Sequence, residues 1–225
     1  MTKPPFDLVI FDCDGVLIDS EPIASRTMAE TLTRVGFPMS ADAVLQRFTG
    51  KSESDIRLDL AARGLQDFDS FAGAWHEHLY TAFATDLKPM PGIEAVVLAL
   101  DSPVCVASNS SRIRLERSLG GTSLWPLFAP NVFSAEDVAH PKPAPDLVLH
   151  CLSRCRARAE RSVMIDDSIH GISAALAAGV MPIGFVDPGD PRPDRQARLR
   201  EAGAAVVATG AAELADVLGT LSPVG

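Results

Sequence analysis

The sequence predicts an α/β fold: a mostly parallel sheet with helices on both faces, interrupted after its first strand by an all-α insertion. Three observations predict it. Short apolar runs end abruptly in polar residues, helical patterns lie between those runs, and one stretch, from about Glu21 to Leu87, holds helix signals without a convincing strand.

Leu8-Val9-Ile10-Phe11 is the first run. No polar residue interrupts it, as expected of a strand buried on both faces, and Asp12-Cys13-Asp14-Gly15 follows as a polar turn. Ala24, Met28, Leu32 and Val35 then recur at helical spacing, with Pro22 near the start and Gly36 at the end. Ser40 is placed to cap a second helix and Ser52 a third that runs to Arg63 before Gly64, while Asp69 to Ala84 gives a fourth. Lys88-Pro89-Met90-Pro91-Gly92 closes the insertion with the composition of a stiff hinge. Residues 1–18 and 89–225 are therefore expected to form one domain and residues 19–88 another.

Further runs at Pro103 to Ala107, Ser162 to Ile165 and Pro182 to Val186, with a weaker one at Ala204 to Ala208, supply the remaining strands. Helical patterns at Ile113 to Leu119, Pro145 to Leu152, Ile169 to Ala178 and Arg192 to Ala202 alternate with them, the last two closed by Gly179 and Gly203. Ligands of such sheets bind beyond the carboxyl ends of the strands, among the polar residues that end the runs.

A chain of 225 residues is long enough for one α/β domain and a smaller inserted one. The formal net charge of −9 repels nucleic-acid backbone and anionic membrane on average. It does not exclude a phosphorylated substrate, because a bound metal ion reverses the field inside a pocket. Cys13, Cys105, Cys151 and Cys155 form no CxxC pair and no signal-peptide pattern precedes Phe6, which suits a reducing cytoplasm. Cys151 and Cys155 are spaced to share a helix face and read as packed thiols rather than a zinc site. No apolar run reaches the ~18 residues of a membrane span. The expected partner is a small phosphorylated metabolite, with neither nucleic acid nor membrane, and the expected state is a monomer, with a dimer as the alternative.

Asp12 and Asp14 stand two apart at a strand end, so both address one site. A turn rich in Asp and Gly would account for them alone. Ser108-Asn109 after a strand, Lys142 in a proline-rich loop and Asp166-Asp167 after another strand then follow in order. Four carboxylates at one sheet edge cannot all stay ionised without a cation. Oxygen ligands with no His or Cys cluster nearby call for magnesium rather than zinc, and Lys142 adds a further positive charge. With such charge balance Asp12 becomes a nucleophile toward phosphorus, and Asp14 protonates the leaving oxygen and later deprotonates water. Ser108 and the amide of Asn109 are placed to hydrogen-bond the phosphoryl group, although a helix cap is the plain alternative for Ser108.

Taken together, Asp12-Cys13-Asp14-Gly15-Val16-Leu17-Ile18-Asp19-Ser20-Glu21, Ser108-Asn109, Lys142-Pro143-Ala144-Pro145-Asp146 and Asp166-Asp167-Ser168 with Gly171 resemble the haloacid dehalogenase superfamily. Within it they look like the branch of β-phosphoglucomutase and phosphoglycolate phosphatase. The motifs run through nearly the whole chain. The resemblance implies a Rossmann-like core with a helical cap inserted after the first strand. It implies Asp12 as nucleophile, Asp14 as acid and base, Ser108 and Lys142 as phosphate contacts, and Asp166 with Asp167 as metal-side acids. It also implies that Asp12 and the backbone carbonyl of Asp14 bind magnesium. Asp19 and Glu21 lie near the cap entrance, either as acids at a helix start or as substrate contacts.

Dehalogenases of the superfamily lack the second aspartate of the first motif, and phosphonoacetaldehyde hydrolases carry a small residue there, so Asp14 disfavours both. The His and Arg of β-phosphoglucomutases are replaced by Ala24 and Glu53, which makes a sugar-phosphate mutase second to a phosphatase of sugar or sugar-acid phosphates. Lys51, in a loop expected to face the core, and Arg112, at the start of the helix after Ser108, are candidates to read a substrate anion, each balanced against a solvated surface position. A phospho-acceptor regulatory domain would not need the helical insertion, and an idle interaction protein would not need every charged element.

Overall fold

The computed structural model describes residues 5–49, 51 and 53–221. The chain forms two compact units, Met1–Ile18 with Pro89–Gly225, and Asp19–Lys88. β1 (Leu8–Phe11) is buried along its whole length, which is why its sequence shows no polar alternation. It ends in a tight flap where Leu17 N and Ile18 N both donate to Cys13 O, and Gly15 takes the left-handed conformation (φ 79°) that the turn requires.

The second unit is helical. α1 (Glu21–Arg34) opens with Pro22, whose missing N–H costs nothing in a first turn. α2 (Ala41–Phe48) and α3 (Glu53–Ala62) are short, and α4 (Phe68–Asp86) is the long member. Met28 and Leu32 of α1 pack with Phe71, Trp75 and Leu79 of α4 in one buried cluster, and Trp75 Nε1 donates to Thr27 Oγ1 at 3.3 Å. Arg47 forms a forked pair with Asp59, both bonds at 2.8 Å, joining α2 to α3. The Ser40 hydroxyl accepts from Ala43 N and so caps α2, whereas Ser52 lies outside the described residues. Ser40→Ala is expected to cost about 1 kcal/mol, read as a lower urea midpoint with an unchanged slope. No helix among the described residues is long and apolar enough to cross a membrane.

In the first unit the chain continues through α5 (Ile93–Leu98), β2 (Val104–Ser108), α6 (Arg112–Arg117), α7 (Trp125–Phe128) and β3 (Val132–Ser134). It then runs through α8 (Asp146–Cys155), β4 (Ser162–Asp166), α9 (Ile169–Ala177), β5 (Met181–Val186), α10 (Arg195–Glu201), β6 (Val206–Thr209) and α11 (Gly210–Thr220). The six strands form one sheet in the order β3-β2-β1-β4-β5-β6, all pairs parallel. This is the α/β architecture expected from the alternation of apolar runs and helical patterns. Leu8, Ile10, Cys105, Met164, Leu147, Cys151 and Ala174 belong to the cluster between the sheet and α8–α9. Cys151 and Cys155 pack at that cluster as free thiols.

Several elements depart from the sequence expectation. β3 is a three-residue edge strand that no apolar run announced, and its end is closed by a capping box in which Asp137 Oδ2 accepts from Ser134 N at 2.8 Å. α10 begins at Arg195 rather than Arg192, because Pro193 precedes Asp194, which takes a left-handed conformation (φ 61°) unsuited to continuing a helix. α5, α7 and α11 are additional.

Candidate active site

Strand order reverses at β1, which has β2 on one side and β4 on the other, so the crevice of the sheet opens at the carboxyl ends of these strands. Phe11 is level with Ile165 in the parallel register. The next residues, Asp12 and Asp166, therefore stand side by side, and Asp12 N donates to Ile165 O at 2.9 Å. Phe11 is also level with Val106, which brings Ser108, at the end of β2, to the same edge, where it is buried. Asp12, Asp166 and Asp167 each present a carboxylate oxygen, all within 4.8 Å of one another.

Lys142 enters this acidic group from the loop before α8. Its Nζ donates to Asp12 Oδ1 at 2.7 Å, Asp166 Oδ2 at 2.8 Å and Ala107 O at 3.0 Å, which uses all three ammonium hydrogens. The loop itself is fixed by Asn109, whose side-chain amide donates to Lys142 O (2.8 Å) and accepts from Lys142 N (2.9 Å). Asp166 is further held by Ser168, through its backbone N at 2.9 Å and hydroxyl at 2.7 Å. Gly171 of α9 makes this packing possible, since a Cβ there would lie 1.8 Å from Asp166 Cγ.

Electrostatically the centre is poised to accept a further cation. Burial pushes the Asp12 carboxyl above the usual carboxylate range, the Lys142 charge pulls it down, and Asp166 and Asp167 push it up again. Burial alone would lower Lys142, but Asp12 and Asp166 hold its ammonium charged beyond the ordinary lysine value. The donor set, carboxylate oxygens with no soft atom, fits a hard divalent cation.

Asp14 is half-buried beside this group, with Oδ1 accepting from Arg114 Nη2 at 3.0 Å and Oδ2 from Ser110 Oγ at 2.8 Å. Arg112 donates instead to Asp137. Lys51 belongs to the other unit, exposed, 3.9 Å from Asp59 and over the Phe48 ring, and Glu21 is the first residue of α1. Gly50 and Ser52, its loop neighbours, lie outside the described residues. The geometry adds residues that sequence reasoning gave no role: Ser110 and Arg114 on Asp14, Ser168 on Asp166, and Arg195, whose Nη2 lies 2.7 Å from Asp167 Oδ2. Ser168 directly follows Asp166-Asp167, and Ser110 and Arg114 lie close after Ser108-Asn109, so their neighbours in sequence were a signal. Arg195 had no such signal.

A parallel α/β protein whose central strands lead into carboxylates, with a buried loop lysine set among them, is the class these observations define. Residues 6–179 match the family of haloacid dehalogenase-like hydrolases, and the chain belongs to that family. Its relatives include the 6-phosphogluconate phosphatase of Escherichia coli K12, 30% identical over 77% of this chain and 80% of that protein. Another is the phosphorylated carbohydrates phosphatase of Thermotoga maritima, 31% identical over 77% of this chain and 82% of that protein. Among solved structures, a HAD family hydrolase of Deinococcus radiodurans R1 with bound phosphate and sodium superposes with a TM-score of 0.81 at 32% identity, covering 99% of this chain and 100% of that one.

Proposed function

We propose that the chain is a magnesium-dependent phosphatase of small phosphorylated metabolites, sugar or sugar-acid phosphates, acting through an aspartyl-phosphate on Asp12. Met1–Ile18 with Pro89–Gly225 is then the catalytic core and Asp19–Lys88 the helical cap. The observation that carries this reading is the Asp12–Lys142–Asp166 arrangement, a buried carboxylate held at 2.7 Å from an ammonium in a cluster still short of positive charge. The named activities of the Escherichia coli and Thermotoga maritima relatives, and the phosphate in the Deinococcus structure, support the substrate class.

Asp12, Asp166 and Asp167, with the backbone carbonyl of Asp14, would hold the cation. Bound there, magnesium would supply positive charge to the phosphoryl oxygens and to the carboxylates around it. Asp12 attacks phosphorus while the bond to the ester oxygen breaks, and Asp14 delivers a proton to that leaving oxygen. In the second half Asp14 takes a proton from water, the water oxygen bonds to phosphorus, and the Asp12–phosphorus bond breaks to release phosphate. The Ser108 hydroxyl and the backbone N–H of Asn109 donate to the phosphoryl oxygens, and Lys142 pulls the Asp12 carboxyl toward its ionised form and holds it in place. Remote substrate groups are read by Lys51, Arg112 or Glu21, so replacing the responsible residue by Ala weakens turnover of the natural ester more than that of p-nitrophenyl phosphate.

The test is an assay against a panel of sugar phosphates, sugar-acid phosphates and p-nitrophenyl phosphate with and without magnesium. Turnover is expected with magnesium, lost on exhaustive chelation and restored on readdition, with zinc a poor substitute. Undiminished hydrolysis under chelation would overturn the metal assignment, and inactivity toward every ester would overturn the phosphatase.

A further inference from the structure

Arg195 opens α10, 28 positions after Asp167 and outside the residues 6–179 that match the family. Its Nη2 donates to Asp167 Oδ2 at 2.7 Å and to the Asp167 carbonyl at 2.6 Å, and its buried Nε stands 3.0 Å from Asp190 Oδ2 in an ion pair that is not aligned as a hydrogen bond. Asp190 is itself gripped by Arg192, through backbone N at 2.9 Å, Nε at 2.8 Å and Nη2 at 2.8 Å. Burial would push the Asp190 carboxyl up, but the bonds from Arg192 and the charges of Arg192 and Arg195 bring it below its ordinary value. The chain Arg192–Asp190–Arg195–Asp167 is therefore a braced series of ion pairs ending on an acid of the candidate metal group. Gly15 approaches the same carboxylate so closely that a Cβ there would lie 3.0 Å from Asp167 Oδ2.

Two opposing effects follow for a cation. The guanidinium charge cancels part of the negative potential of the cluster, which by Coulomb's law weakens cation binding. The same bonds fix the plane of the Asp167 carboxylate, which strengthens it, and removing outer partners of metal ligands costs about 10–100-fold in affinity. The two effects shift affinity in opposite directions, so a metal titration distinguishes them. Resting on the magnesium reading above, we propose that Arg195, braced by Asp190, is a positioning residue that orients Asp167 for the divalent cation.

The experiment is calorimetric titration of magnesium into the full chain and into Arg195→Gln, Arg195→Lys and Asp190→Asn, with thermal melting of each metal-free protein as the control for folding. Arg195→Gln is expected to bind magnesium about tenfold more weakly or worse, with melting close to that of the parent. Arg195→Lys, which keeps charge and one donor, should recover part of the loss. Asp190→Asn keeps the guanidinium, loosens its brace and should shift affinity in the same direction. Affinities of Arg195→Gln and Asp190→Asn within about twofold of the parent would overturn the proposal. So would tighter binding by Arg195→Gln, since Arg195 would then compete with the cation. If Arg195→Gln does not fold, Asp190→Asn decides on the same criterion. A parent that binds no magnesium overturns the magnesium reading itself, whereas a parent that binds normally beside unchanged variants overturns only the role of Arg195.

Discussion

Asp12→Asn is expected to lower turnover of every phosphate ester by about 10⁴-fold or more, whatever the leaving group, because no other group then forms the covalent intermediate. The amide is nearly isosteric with the carboxylate and still accepts from Lys142, so the loss is chemical rather than structural. Asp14→Asn separates the second role. An alkyl phosphate needs its leaving alkoxide protonated and should lose about 10²–10⁴-fold. p-Nitrophenyl phosphate carries a leaving group that departs unaided, so its first step should survive, giving an initial burst of nitrophenol followed by slow turnover. Acid-quench mass spectrometry should then find phosphate on Asp12. In that variant Ser110 keeps an amide oxygen to donate to while the ion pair with Arg114 is lost, so magnesium affinity is measured alongside. Label on another residue, or substantial turnover by Asp12→Asn, would remove the mechanism.

Gly171→Ala is expected to be the most damaging single-methyl change in the first unit. The added carbon would lie 1.8 Å from Asp166 Cγ. A flexible side-chain end would swing aside, but the Asp166 carboxylate is bonded to Lys142 Nζ and to both donors of Ser168. Either α9 moves away from β4 or the buried carboxylate leaves its partners, and overpacking of this kind costs about 3 kcal/mol or more. Denaturant unfolding should show the loss of stability, and any folded fraction should have lost both magnesium binding and turnover. Gly171→Ala with parental stability and activity would mean that the close approach of α9 to Asp166 is not needed.

What was legible in the sequence follows the physics of burial. β1, β2, β4 and β5 stand as apolar runs because strands covered on both faces exclude most polar residues, and Asp12 and Asp166 stand out because each ends such a run. Parallel register then brings them together without further information. β3 was not legible because three residues cannot display a pattern, and α5, of six residues, is too short to show a helical period. The proline-rich approach to α10 hid its start. Side-chain partners were the least legible level. That Asn109 would use its side chain to hold the Lys142 loop, and that Arg195 would reach back to Asp167, depends on separations of 33 and 28 positions closed only by the fold.

The shortness of β3 has a consequence for the molecule among its neighbours. An outer strand is a template: its outward amides and carbonyls invite pairing with a strand from another copy, the first step toward fibrous aggregation. Here the template is three residues long, and its last amide is already taken by Asp137, which Arg112 in turn engages. The same arginine considered for substrate selection thus helps to blunt a sheet margin, leaving an incoming strand little to pair with before the chain turns away.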